Sequence, residues 1–499
     1  MRRFSLRFIS LFALILIALS GVQAEKLVIL HTNDTHSQIE PTEKNLGGIA
    51  RRKVLIDSVR QADKNVILVD AGDMVQGTLY FTLFGGEVES KLMNYLGYDI
   101  QILGNHEFDN GVDSLANFFG ALKADKLSTN YDFTTTPLAS MFKPYVVKEY
   151  GGKRIGFIAI NLDPKGMIAD KNARGVVYLD GIKAANATAW HLRHNEKVDL
   201  VVALTHVGYN EDGLIDDVDL ARQSEDIDII IGGHSHTLID PSKDGSPQWL
   251  IPNAVGRPVL VAQTGKSGVN VGEIVVDLDS FEKNYSILPV DARYDGHGDA
   301  ALDSILAPYK DEVERYRNFK IGTSQGLGKA DWSLVNWMAD FVKNDAAALT
   351  DKKIDLAIVN KGGVRTDMKK GAVTKGTIMQ IFPFDNRTVV LEISGRDLRD
   401  ALDVMAGRGG DGVSKGVDIT MTPEGKCSQI LINGEPLAPE RTYTVATIDY
   451  LARGGDYMQP LTRGSIIAES SDVLYNDMIN QLIKNKKTIK ADRTQRMHK

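Results

Sequence analysis

The feature that most constrains this chain is a series of seven short apolar runs, rich in β-branched residues and each followed by a polar loop. They read KLVIL (26–30), NVILVD (65–70), YDIQIL (98–103), KRIGFIAI (153–160), VDLVVAL (198–204), DIDIII (226–231) and PVLVAQ (258–263). Their length and their Gly, Asp and Asn flanks predict buried strands. Segments with helical character, such as 46–61 and 180–196, lie between several of them. Alternation of this kind predicts an α/β fold, with sheets covered by helices.

The polar residues that follow these runs carry the chemistry. After the first come Asp34 and His36, after the second Asp73, and after the third Asn105, His106, Glu107 and Asp109. His206 follows the fifth run, and His234 and His236 follow the sixth. Alone, each is an ordinary capped turn or a core histidine. Together they are harder to dismiss, because five of the ten histidines stand just beyond predicted strands. Ligands of open α/β sheets gather beyond the carboxyl ends of the strands. Imidazole and carboxylate together suit zinc, manganese, iron or cobalt better than calcium, which prefers oxygen alone. The donors also outnumber one tetrahedral site, so two ions sharing a carboxylate would fit.

Arg2, Arg3 and Arg7 precede the apolar run 8–19, and Val22-Gln23-Ala24 offers small residues at a cleavage position. This predicts a signal peptide over 1–24, with the mature chain periplasmic or secreted and without a stable membrane anchor. Loss of the three arginines lowers the net charge from −7 to −10, which argues against binding to a nucleic-acid polymer. Cys427 is the only cysteine, so no intrachain disulfide can form and a large core must supply the stability. Around residue 299 the texture changes. The charged segment 299–320, which contains Pro308, predicts a linking helix, and strands are expected beyond it at 354–359, 388–393, 426–432 and 441–448.

The ordered series Asp34-x-His36, Gly72-Asp73, Gly104-Asn105-His106-Glu107, His206 and Gly233-His234-x-His236 resembles the calcineurin-like metallophosphoesterases. Farther on, NKGGVR (360–365), GTIMQIFPFDN (376–386) and YLARGGDY (450–457) resemble the secreted 5′-nucleotidase / UDP-sugar hydrolase family. The resemblance implies a layered α/β/β/α catalytic domain over 25–298, a linking helix over 299–320 and a smaller α/β substrate-binding domain over 321–499. It implies two divalent metal ions, zinc or manganese, with cobalt or magnesium as further candidates. Asp34, His36 and His236 would hold the first ion, and Asn105, His206 and His234 the second, with Asp73 bridging. His106, oriented by Asp109, would be the catalytic histidine. Phe384 and Tyr450 would sandwich a base, Asn386 would bond to it, and Asp456 would bind the ribose. Arg365 would meet phosphate, and Asn360 would make a further contact.

The implied activity is hydrolysis of a small nucleotide by metal-activated water. A 5′-nucleotidase is the leading expectation, with UDP-sugars and nucleoside di- or triphosphates as further substrates. A 2′,3′-cyclic-nucleotide phosphodiesterase and a non-catalytic periplasmic nucleotide-binding protein are the alternatives, and the oligomeric state is left open. Two positions depart from the family pattern. Lys361 stands where glycine is usual, and 327–340 offers Lys329 but no second phosphate-binding arginine. A lysine there would supply a point charge in place of a bidentate fork.

Overall fold

Two six-stranded sheets lie face to face over the first part of the chain. The computed structural model describes residues 25–499, apart from 43, 166, 169, 212–214 and 471. The expected leader, 1–24, lies outside the described residues.

In the first sheet, strands Lys26–Thr32, Val66–Asp70, Ile100–Ile102 and Asp125–Leu127 run parallel in that order. In the second, Lys153–Asn161, Leu200–His206, Ile229–Ile231 and Pro258–Ala262 do the same. Alternating side chains explain the layering. Leu27, Ile29, Ile67, Val69, Ile100 and Ile102 share a core with Phe157, Val202 and Ile230 of the opposite sheet. Val28, Leu30 and Leu68 point the other way, into a core with the helices Ile49–Ala62, Glu87–Leu96 and Gly111–Ala121. The helices Gly181–His194 and Asp217–Gln223 pack on the second sheet. The result is the expected α/β/β/α sandwich.

Local chemistry accounts for the differences from the sequence reading. The helix expected from residue 46 begins at Ile49, because Gly47 and Gly48 have φ of 74° and 98°. The strand expected over 226–231 is only Ile229–Ile231, and at its start the Asp228 carboxylate accepts the Val201 N–H at 2.8 Å. The antiparallel strands Asn270–Asp277 and Lys283–Pro289, which complete one edge of the first sheet, were not anticipated.

Helix Ala300–Asn318 retains Pro308 in its interior and buries Leu302, Leu306, Tyr309 and Val313. Beyond it, a five-stranded sheet is built on Leu356–Val359, Thr442–Ile448 and Thr388–Ser394, flanked by Gly412–Val413 and Ser465–Glu469. The helices Ser333–Ala346 and Gly395–Gly407 pack against it.

Candidate metal centre and adjoining cleft

The loops that follow five of the parallel strands meet at one edge of the sandwich. Their backbones bind one another: the N–H groups of Asp34, His36 and Ser37 donate to the carbonyls of Gly72, Asp73 and Met74, each at 3.0 Å. Glu107 clamps two loops, accepting the N–H groups of Asp73, Met74 and Gly104 at 3.0, 2.8 and 2.5 Å. Asn33 donates to Asp34 Oδ2 at 2.6 Å and to the Gly265 carbonyl at 2.8 Å. This framework holds Asp34, His36, Asp73, His234 and His236 at φ between 47° and 82°. Each such left-handed, non-glycine residue costs on the order of 1–3 kcal/mol, and strain of this kind concentrates at functional sites. Glycine is needed where the loops touch: a Cβ on Gly104 would stand 2.2 Å from Asp73 Oδ1.

Inside this framework nitrogen and oxygen donors converge. Asp34 Oδ1 lies 3.6 Å from His236 Nε2 and 3.9 Å from both His36 Nε2 and His206 Nε2. Asp73 Oδ2 lies 3.2 Å from His206 Nε2 and 4.0 Å from His36 Nε2. His36 Nε2 faces His236 Nε2 at 2.9 Å, and His234 Nδ1 faces Asn105 Oδ1 at 2.9 Å. Asp34, His36 and His236 form one set with metal-binding spacing, and Asp34, Asp73 and His206 form another. Asp34 belongs to both sets, and Asp73 belongs to the second and comes within 4.0 Å of His36 in the first, so Asp73 is not unique in its central position.

The donor chemistry fits divalent cations. His206 Nδ1 faces the Ala71 carbonyl at 2.7 Å and His36 Nδ1 faces the Val75 carbonyl at 3.4 Å. A proton on each Nδ1 leaves the Nε2 lone pair directed into the cluster. His206 Nε2 is fully buried and is directed at the carboxylates of Asp73 and Asp34. Burial pushes the His234 and His236 imidazoles down to about 3, into the neutral ligand form, and the charge of Lys266 adds to the effect on His236. Burial alone would lower His206 too, but Asp73 and Asp34 outweigh it and hold this imidazole well above its usual range. Burial raises the Asp34 carboxyl. Cations bound among these donors would relieve the same buried charge.

His106 sits beside the cluster. Its Nδ1 faces Asp109 Oδ2 at 2.9 Å, and its backbone N–H donates to Asp73 Oδ1 at 2.9 Å. Burial opposes its protonation, but Asp109 and Asp73 prevail and raise its pKa.

A cleft of about 730 Å³ opens over these groups. Asp73, Asn105, His106, Asp109, His234 and His236 line one wall; Asn360, Arg365, Phe384, Asn386, Tyr450 and Asp456 line the other. Asp34, His36 and His206 lie buried beneath it. The structure thus gathers all the site residues named from the sequence. Phe384 stacks on His106 at 5.9 Å between ring centroids, with the Arg365 guanidinium 5.8 Å from its ring. Tyr450 donates its hydroxyl to Asp456 Oδ1 at 2.9 Å, and Asn360 Nδ2 donates to Asp456 Oδ2 at 2.6 Å. Gly455 allows Tyr450 to lie flat against the backbone, since a Cβ there would stand 2.4 Å from its ring. Lys361 lies outside the cleft lining, with Nζ 4.0 Å from the centre of the Trp332 ring. Lys329 is half-buried, and its pKa is lowered first by burial and then by the charges of Arg365, Lys361 and Lys266.

Sequence reasoning missed the supporting residues. Glu107 was visible beside His106, but its clamp joins loops that are distant in sequence. Lys266 carries no local signal; its neighbour Ser267 donates its N–H to the Asp34 carbonyl at 2.7 Å.

Residues 27–238, which contain every candidate metal ligand, match the family model for calcineurin-like phosphoesterases. The first part of the chain is therefore a metallophosphoesterase domain. Residues 313–463 match the 5′-nucleotidase C-terminal domain, and with the two joined the chain belongs to the 5′-nucleotidase family of hydrolases. The trifunctional nucleotide phosphoesterase protein YfkN of Bacillus subtilis (strain 168) is 28% identical over 518 residues. That match takes in 92% of this chain but only 34% of YfkN, so the chain spans about a third of that relative. The 5′-nucleotidase of Vibrio vulnificus (strain CMCP6) is 29% identical over 488 residues, 88% of this chain and 86% of the relative. The crystal structure of a 5′-nucleotidase precursor from Thermus thermophilus superposes with a TM-score of 0.82 at 29% identity, covering 95% of this chain and 99% of that one.

Proposed function

We propose that this protein hydrolyses nucleoside 5′-monophosphates to nucleoside and phosphate. The observation that carries this reading is the single cleft, with a metal-type donor cluster on one wall and an aromatic, hydrogen-bonding surface on the other. Asp34, His36 and His236 would hold one divalent cation and Asn105, His206 and His234 a second, with Asp73 between them. Zinc or manganese suits this mixture of imidazole and carboxylate. When bound, such cations lower the pKa of water and draw charge from phosphoryl oxygens.

The chain's own residues do the rest. His106, oriented through Nδ1 by Asp109, keeps a proton at Nε2 to stabilise negative charge that develops on oxygen. Arg365 faces Asp109, Asp73 and Asp34 from the other wall, so its guanidinium can meet a phosphoryl group held between them. Phe384 and Tyr450 offer stacking faces, which accept any base. Asn386 would bond the base. Asp456, braced by Tyr450 and Asn360, would accept ribose hydroxyls.

Metal-loaded protein should release phosphate from AMP and UMP, with ATP, UDP-glucose and 2′,3′-cyclic AMP assayed in parallel. Faster turnover of the cyclic nucleotide would favour the phosphodiesterase, and no turnover of any nucleotide would defeat the enzymatic reading. Export is proposed on the leader motif, and N-terminal sequencing of the protein from cells should begin at Glu25.

A further inference from the structure

The loop that carries Lys171 and Asn172 touches both walls of the cleft. Asn172 Nδ2 donates to the Asp109 carbonyl at 2.8 Å, next to the His106–Asp109 pair. Lys171 Nζ donates to Asp449 Oδ2 at 2.9 Å, across 278 positions of sequence. Asp449 opens the short helix Asp449–Ala452, whose second residue is Tyr450. Its side chain is only 3% exposed, and Oδ1 accepts the Arg387 N–H at 3.0 Å. Arg453 Nη1 lies 3.2 Å from Oδ2, so the carboxylate keeps a cationic partner if Lys171 withdraws. Lys171 itself is 54% exposed. The contact is therefore reversible: breaking it returns Lys171 to water and strands no buried charge.

We propose that Lys171 is a positioning residue for nucleotide substrates, acting through Asp449 to hold the Tyr450 wall against the wall that carries His106 and Asp109. The inference rests on the nucleotidase reading of the cleft. A nucleoside needs the Tyr450 and Asp456 side of the second wall, whereas a small aryl phosphate needs only the metal-bearing wall and Arg365.

The test compares wild type, Lys171→Met, Lys171→Arg, Asp449→Asn and the Lys171→Met/Asp449→Asn double variant, all metal-loaded, on AMP and on p-nitrophenyl phosphate. For Lys171→Met the KM for AMP should rise about fivefold with kcat little changed, the scale of a partly exposed ion pair. Aryl phosphate kinetics should stay as in wild type, Lys171→Arg should restore the AMP KM, and the lysine's effect should vanish in the Asp449→Asn background. An unchanged AMP KM in Lys171→Met overturns the inference. So does an equal loss on both substrates, or an effect that persists without the Asp449 carboxylate, which would mark a direct substrate contact. Wild-type protein that cleaves the aryl ester but no nucleotide overturns the nucleotidase reading, and this inference with it.

Discussion

The two walls of the cleft are built differently. The metal-bearing wall consists of strand-end loops whose backbones bond to one another, with Asp34, His36, Asp73 and His206 buried and several residues held at positive φ. On the facing wall Arg365, Phe384, Asn386, Tyr450 and Asp456 are more open to solvent. Tyr450 and Asp456 hold each other through side chains, with Asn360 as the third member. The contrast assigns precision to one wall and accommodation to the other. Donors that must meet cations within a fraction of an ångström need an over-determined backbone, whereas stacking tolerates different bases.

The largest effect is expected at the first wall. His106→Asn should lower kcat roughly 10²–10⁴-fold, the usual contribution of a positioned acid–base group. Divalent metal per chain, measured by elemental analysis, should be unchanged, and a variant that has lost its metal would move His106 into the ligand set. His234→Ala should empty one of the two sites while the other stays filled; full occupancy of both would remove His234 from that role.

At the second wall the effect should be smaller and selective. Tyr450→Ala is expected to raise the KM for AMP about tenfold, the scale of one lost stacking partner, and to spare p-nitrophenyl phosphate. Equal loss on both substrates would erase the distinction between the walls. Back at the metal-bearing wall, His236→Gln exchanges an imidazole for an amide and should change the order in which zinc, manganese and cobalt activate the enzyme. The same metal ranking as wild type would show that this position does not tune the site.

The smallest effect lies outside the cleft lining, in the second part of the chain. Burial opposes ionisation of Asp492, but its hydrogen bonds with Arg496 and Thr494 prevail and pull the carboxyl down to about 2. Since this is below the unfolded value of about 3.9, the stabilisation is complete above that pH and is lost as pH falls toward 2. Thermal unfolding of wild type should exceed that of Asp492→Asn at pH 6 by a small margin, because the group is partly exposed, and the margin should close near pH 2. A margin that persists in acid would assign the variant's effect to packing instead of charge.

Much of the site was legible because its residues follow strands immediately. DIDIII and IGGHSHT announce a buried strand and two imidazoles within a few residues, and the strand-to-loop change is a local property. Phe384 and Tyr450 were legible only through resemblance, since an aromatic after Pro383 or before a glycine pair reads equally well as core. His31 shows why single residues mislead. It stands in HTNDTH beside two candidate ligands, yet it is fully buried against Tyr285 at 5.8 Å and has no hydrogen-bond partner. Burial alone pushes it down to about 3, which makes it a core histidine.

By itself the sequence determined which chemical groups stand at the strand ends and in what order, because hydrophobic runs and their breaks dictate strands and loops locally. Only the tertiary structure decided how those groups share space. It placed Asp34 as centrally as Asp73, set Glu107 as a clamp between loops, and brought Lys171 to Asp449. Such contacts join residues far apart in the chain, and they depend on how sheets and helices pack, a property that no local pattern records.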